Sequence, residues 1–208
     1  MPRPPAWQAA CVEERLVTAA PSGSQTRSGA GPTDAALVIA ARAGETWAQE
    51  ALFRRHARMA LGLAHRLLPS DAEVEDIVQD SFVFAIQRLG ALNNPQAFAA
   101  WLGSIVVRTV QKRLRHRRML TRLGLRRPDV IDPDAVVSSQ APPEVAHELR
   151  RVYAILEQLP AEERVALVLR RVDGLEIAEI ATRMALSTST IKRRLAAAEA
   201  RLERASGR

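Results

Sequence analysis

The sequence predicts an all-α protein made of two small helical domains joined by a flexible linker, on two features of composition and one of punctuation. Phe 4, Trp 3 and Tyr 1 are the whole aromatic content of 208 residues, while Ala, Leu, Arg and Glu dominate, so strand formers are scarce and helix formers abundant. Hydrophobic residues make up 47%, enough to close a core. Caps, prolines and glycines then divide the chain into helix-length segments whose apolar residues recur at three-four spacing.

Residues 1–32 mix Pro, Ser, Gly and Thr, and 21–32 lack any periodic apolar pattern, which predicts a disordered leader. The first domain is expected at 33–118. Thr33 can cap a helix ending at Gly44, and a second helix runs from about Glu45 to Leu68, where Pro69 stops it. Ser70 with Glu73 makes a capping box for a third helix carrying Val74, Ile77, Val78, Phe82, Ala85, Ile86 and Leu89, until Gly90 ends it. Asn94 followed by Pro95 caps a fourth, through Phe98, Trp101, Leu102 and Ile105 to about Arg118.

Residues 119–143, with Gly124, Pro128, Pro133, Pro142 and Pro143, form the linker. Fully extended it spans on the order of 80 Å, and as a relaxed coil roughly 25 to 30 Å. Two modules so joined can engage well-separated sites on one ligand. The second domain is expected at 144–208. There Val145, Leu149, Val152, Leu156 and Leu159 trace one helix face up to Pro160, followed by helices over Ala161–Val172, Glu176–Met184 and Thr188–Arg204.

Several function classes drop out. The lone Cys11 excludes a disulfide framework and a cysteine zinc site. No apolar run approaches the roughly 18 residues of a membrane span, and no signal-peptide core follows the start, so a cytoplasmic chain without membrane insertion is expected. His56 and His65 are nine apart rather than the four that places two imidazoles on one helical face, and Glu144 with His147 is an isolated Glu-x-x-His. Phosphate loop and nucleophile elbow are both missing from the sequence, so neither an enzyme nor a metal or cofactor site is expected. The charge of +7, from 30 basic and 23 acidic residues, makes a polyanion the first partner to consider.

Three surfaces fit that partner or its opposite. The last two helices have helix-turn-helix proportions, with Ser187 capping the second. At 100° per residue, Ile191, Leu195, Ala198 and Leu202 share one face, and Ser189, Lys192 and Arg193 point away from it, toward a major groove. From Arg108 to Arg127 nine Lys or Arg residues stand without an acid, a run that self-repels unless a polyanion neutralises it. Just upstream, Phe98 and Trp101 suit either a core or base stacking, and Asn93 and Asn94 either a cap or base reading. Asp71, Glu73, Glu75, Asp76 and Asp80 form an acidic helix start, whose fitting partner is a basic protein surface.

In their order these motifs resemble the sigma-seventy family of bacterial transcription initiation factors, in its small two-domain extracytoplasmic-function group. Glu75-Asp76-Ile77-Val78-Gln79-Asp80-Ser81-Phe82 is similar to the region two helix, which in the family binds the polymerase clamp. Phe98-Ala99-Ala100-Trp101-Leu102 and the basic helix behind it are similar to the part that opens and reads the minus-ten element. Leu159-Pro160, Gly174, Glu179-Ile180-Ala181, Ser187 and Thr190-Ile191-Lys192 resemble region four, which docks on the minus-thirty-five element.

The resemblance implies a promoter-specificity subunit whose partners are core RNA polymerase, promoter DNA and an anti-sigma factor. It assigns core binding to Glu75, Asp76, Gln79 and Asp80. Minus-ten contacts fall to Asn93, Asn94, Phe98, Trp101, Arg108, Lys112, Arg113, Arg115 and Arg117, and upstream contacts to Thr188, Ser189, Thr190, Lys192, Arg193 and Arg194. A free-standing helix-turn-helix regulator is the alternative, which leaves the acidic helix unexplained. One departure from the family bears on backbone strain: Ala185 stands where a glycine is usual in the turn, so a left-handed residue is expected there without glycine's freedom.

Overall fold

Capping chemistry sets the first helix. In the computed structural model, which describes residues 31–68, 73–125, 144 and 154–206, Thr33 Oγ1 accepts the Ala36 amide at 3.3 Å and opens α1 (Asp34–Arg42). Gly44, at φ +92°, turns the chain into α2 (Thr46–Leu67). α3 (Val74–Gln87) follows, then short 3₁₀ turns at Leu89–Ala91 and Pro95–Ala97, and α4 (Phe98–Arg122). Among the described residues every regular element is helical.

The first module packs α2, α3 and α4 around Leu52, Leu63, Leu67, Ile77, Phe82, Phe98 and Leu102, all essentially inaccessible. Phe53 meets Phe82 edge to face at 4.8 Å, and Phe98 lies 5.2 Å from the buried His56 ring. α1 is fastened to α2 by Asp34, whose carboxylate reaches Arg55 at 2.7 Å and His56 at 3.0 Å.

The second module comprises a helical stretch at 154–158, α5 (Ala161–Arg171), α6 (Ile177–Met184) and α7 (Thr188–Ser206). Leu169, Ile180 and Ile191 form its innermost layer. Gly174, at φ +67°, lies in the α5–α6 connection just past the end of α5, and Arg170 Nη1 donates to Leu175 O at 2.9 Å across it. The Glu179 carboxylate accepts the Glu176 amide at 2.8 Å and opens α6 with a capping box.

Several expectations change. α4 runs past Arg118 to Arg122, because Gly124 at φ +69° supplies the stop and the Leu125 amide donates back to Leu120 O at 3.0 Å. Asn94 and Pro95 open a separate 3₁₀ turn rather than α4 itself: Asn94 Oδ1 accepts the Gln96 amide, and Asn94 O the Ala97 amide in an i to i+3 bond. Glu73 turns its carboxylate onto Arg113 and Arg117 of α4, while its expected capping partner Ser70 lies outside the described residues, as do the leader at 1–30, residues 126–143, Val145, Leu149 and Val152.

The largest departure concerns the relation of the modules. The sequence suggests two bodies on a tether, and the structure packs α4 against both α5 and α6, with α2 also touching α5. Leu102 to Val107 are six consecutive buried residues, which an amphipathic surface helix cannot show; α4 is covered on opposite sides by the two modules. Gly103 leaves room there for the Arg183 guanidinium of α6, 3.3 Å from where a β-carbon would stand. Arg66 of α2 pairs with Asp173 at 2.7 Å and Arg115 of α4 with Glu162 at 3.7 Å, closing the seam at its edges.

Candidate polymerase and nucleic-acid interfaces

α3 presents its acids as the periodicity predicts. Val74, Ile77, Val78, Phe82 and Ala85 are buried, which leaves Glu75, Asp76 and Asp80 exposed and Gln79 half-exposed. Ser81 avoids a stranded hydroxyl by donating to Ile77 O at 2.7 Å. Asp71 lies outside the described residues. Asp80 also lines a cleft between α3 and α4 with Phe84, Arg88, Trp101, Arg108 and Lys112. The structure thus unites residues that the sequence assigned to separate surfaces.

Phe84 is a functional candidate the sequence reading missed. It is 45% exposed, off the apolar stripe, with the Arg88 guanidinium 5.4 Å from its ring centre. The available signal was an aromatic residue four positions after Asp80, on the acidic rather than the core face.

Of the minus-ten candidates, Asn93 and Asn94 are exposed, Trp101 is half-buried at the cleft, and Arg108 and Lys112 are exposed. Phe98 is fully buried in the core. Arg117 is buried too and pairs with Glu73, which also holds Arg113 at 3.2 Å, while Arg115 faces Glu162. The basic run is therefore partly neutralised by acids distant in sequence, not left for a polyanion alone to balance. Arg126 and Arg127 lie outside the described residues.

The α7 face is as expected. Ile191, Leu195 and Ala198 are buried and Leu202 half-buried, and Thr188, Ser189, Lys192 and Arg193 are exposed. Ser187 caps the helix, its Oγ accepting the Thr190 amide at 3.2 Å and lying within 3.0 Å of the Ser189 and Thr190 hydroxyls. Arg194 turns back to Glu162 at 2.8 Å, and Arg201 to the buried Glu163 at 3.1 Å. Ala185 adopts φ +54° and ψ +45°, the left-handed backbone that the family resemblance implies at this position. No group of three or more metal-ligating side chains occurs among the described residues.

Comparison with known proteins matches two parts of the chain. Residues 52–119 match Sigma-70 region 2, and residues 149–202 match Sigma-70 region 4. Over 175 residues, 84% of this chain and 85% of the relative, it is 33% identical to the ECF RNA polymerase sigma factor SigM of Mycobacterium tuberculosis. The ECF RNA polymerase sigma-E factor of Escherichia coli is 31% identical over 176 residues, 78% of this chain and 88% of that one. Among solved structures, CnrH in complex with the cytosolic domain of CnrY superposes with TM-score 0.53 at 27% identity, over 82% of this chain and 94% of that chain. The sigma factor RpoE of Bartonella quintana, solved with the anti-sigma factor NepR, shares the fold at TM-score 0.57 and 22% identity, over 76% and 96%.

Proposed function

The chain belongs to the sigma-70 family, as an extracytoplasmic-function RNA polymerase sigma factor that directs core polymerase to promoters, and from that premise we propose how its surfaces divide the task. The acidic face of α3, Glu75, Asp76, Gln79 and Asp80, takes the polymerase. The turn at Asn93 and Asn94, with Trp101, Arg108 and Lys112 beside it, takes unpaired minus-ten DNA, and the start of α7 takes the upstream duplex. Bond-forming chemistry belongs to the polymerase, so this subunit works by binding alone and acts in the cytoplasm. No described helix is long and apolar enough to cross a membrane. An anti-sigma factor, as in the RpoE neighbour, completes the partner set.

The observation that supports this division is which charges stay unpaired once the internal ion pairs are made. Glu73, Arg113, Arg115, Arg117 and Arg194 are engaged within the chain. Among the described residues Glu75, Asp76 and Asp80 have no ion-pair partner, nor have Arg108, Lys112, Lys192 and Arg193. The unpaired acids of α3 are thus available to a protein partner and the unpaired cations of α4 and α7 to nucleic acid, with Asp80, Arg108 and Lys112 on one shared cleft.

Run-off transcription with purified core enzyme tests the whole reading, since a free-standing regulator yields no new promoter-specific transcript. The Asp76→Lys, Asp80→Lys double variant tests the core-binding face. Its expected behaviour is unchanged helicity with loss of core capture and of transcripts. Capture at the wild-type level in moderate salt overturns that assignment.

A further inference from the structure

The turn that carries Asn93 and Asn94 is flanked by 3₁₀ turns rather than by α-helix. Leu92, at φ −82° and ψ +102°, and Asn94, at φ −107° and ψ +105°, are extended. Such backbone leaves carbonyls without helical partners, and an unrestrained turn samples many conformations. Here one side chain from a distant helix holds two carbonyls of the segment: Leu89 O, which also accepts the Leu92 amide at 3.1 Å, and Leu92 O. Arg42, in the last turn of α1, donates from Nε to Leu89 O at 3.0 Å and from Nη2 to Leu92 O. The planar guanidinium fixes the spacing and direction of both donors, so the two carbonyls are held relative to each other as well as to α1.

The rest of the neighbourhood makes this a strut. The Leu89 and Leu92 side chains are buried, at 2% and 5% exposure, and anchor the turn from inside. α1 is itself fixed at its other end by Asp34 on Arg55 and His56, and Arg55 also donates to Pro32 O at 2.9 Å. The residues that follow the clamped carbonyls directly, Asn93 and Asn94, are exposed. A basic residue near a helix C-terminus often serves only the helix dipole. That role does not call for two carbonyls 47 and 50 positions away. Arg42 also precedes residue 52, where the region 2 match begins.

We propose that Arg42 is a positioning residue for minus-ten recognition: it sets the conformation in which the turn presents Asn93 and Asn94 to unpaired bases. The inference rests on the reading above that this turn contacts the minus-ten element. A preset turn spares binding the cost of ordering the loop, and a sequence that fits the preset geometry gains most from it.

The test uses the full chain with core enzyme and compares Arg42→Ala, Arg42→Lys, Asn93→Ala and the Arg42→Ala, Asn93→Ala double variant. Core affinity, thermal melting and permanganate reactivity of promoter thymines are measured on a set of minus-ten sequences. Arg42→Ala is expected to bind core within about twofold of wild type. On the preferred sequence it is expected to open the promoter less well by on the order of tenfold, the worth of a charged hydrogen-bond pair, with a smaller loss on other sequences. Arg42→Lys should fall between, since one ammonium cannot reproduce the fork. In the Asn93→Ala background, Arg42→Ala should add little, because both act through one turn.

A loss equal on all minus-ten sequences and matching the unfolded fraction at the assay temperature overturns the proposal, as do multiplicative losses in the double variant. Wild-type opening by Asn93→Ala removes the minus-ten reading of the turn and this inference with it. Impaired opening by Asn93→Ala together with intact selectivity in Arg42→Ala removes this inference alone.

Discussion

Two single residues carry conformational or electrostatic stress that substitution can measure. Ala185 has a left-handed backbone between α6 and α7, and it is the only non-glycine residue with positive φ among those described. The β-carbon there meets the carbonyl crowding that glycine escapes, at a cost of about 1 kcal/mol. Ala185→Gly is therefore expected to stabilise the second module by up to that amount, less what glycine's extra freedom in the unfolded chain takes back, seen as a higher denaturant midpoint at constant slope. Asp34 gives a pH dependence. Burial disfavours its carboxylate, but Arg55 and His56 outweigh that effect and hold the carboxyl below its usual range. The unfolded chain then binds more protons near pH 4, so the Asp34 contribution is present above that range and is lost as pH falls through it. Asp34→Asn is expected to cost on the order of 1 kcal/mol at pH 7. The gap from wild type should begin to narrow at about pH 4 and close only below the lowered folded-state value, as denaturant titrations across pH can show.

At the scale of the element, α7 combines two kinds of contact that separate on mutation. Burial of Ile191, Leu195 and Ala198 fixes the rotation of the helix, so Lys192 and Arg193 leave on the opposite side near its N-terminus. A lysine meeting phosphate acts as a point charge, whereas a planar arginine can bridge two acceptors on one guanine. Lys192→Ala is thus expected to weaken binding evenly across upstream sequences and lower the salt slope by about 0.9, the share of one phosphate. Arg193→Ala is expected to relax preference at one base pair by about 1 to 3 kcal/mol. Holoenzyme binding to an upstream-element library at several salt concentrations distinguishes the two. The α7 face was legible because helical period and burial agree there. On α4 the same period was insufficient, since Arg113 and Arg117 look like Arg108 and Lys112 in sequence and only the position of Glu73 sets them apart.

At the scale of the molecule, the packing of α5 and α6 onto α4 sets a length problem. Elements named minus ten and minus thirty-five lie ~25 base pairs apart, or about 85 Å at 3.4 Å per pair. A compact body of roughly 150 residues is about 40 Å across. The modules are accordingly expected to part when both elements are bound, exposing to the polymerase or to solvent the side of α4 at Gly103, which here faces Arg183 of α6. Dyes at Met59, two turns before Arg66, and at Val172, beside Asp173, leave the seam ion pair intact when placed on a Cys11→Ser background. Energy transfer between them is expected to be high in the free chain and to fall in the promoter complex. Transfer that stays high there shows that the seam persists on DNA.

Residue order alone was enough for the helical class, the order of the helices, the Thr33 and Ser187 caps and the outward face of α7, whereas the left-handed residue at Ala185 was legible only through the family resemblance. The class, the helix order, the caps and the α7 face depend on residues within about one turn of each other, where propensity, capping and period operate. Only packing set which arginines are free and which are neutralised, that Asp80 lines one cleft with Trp101 and Lys112, that α4 is covered on two sides, and that Arg42 reaches the turn before Asn93. Those facts pair residues tens of positions apart: Glu73 with Arg117, Arg66 with Asp173, Arg42 with Leu89 and Leu92. Helical period fixes the direction in which a side chain leaves its own helix, and only the packing of a second helix determines what waits there.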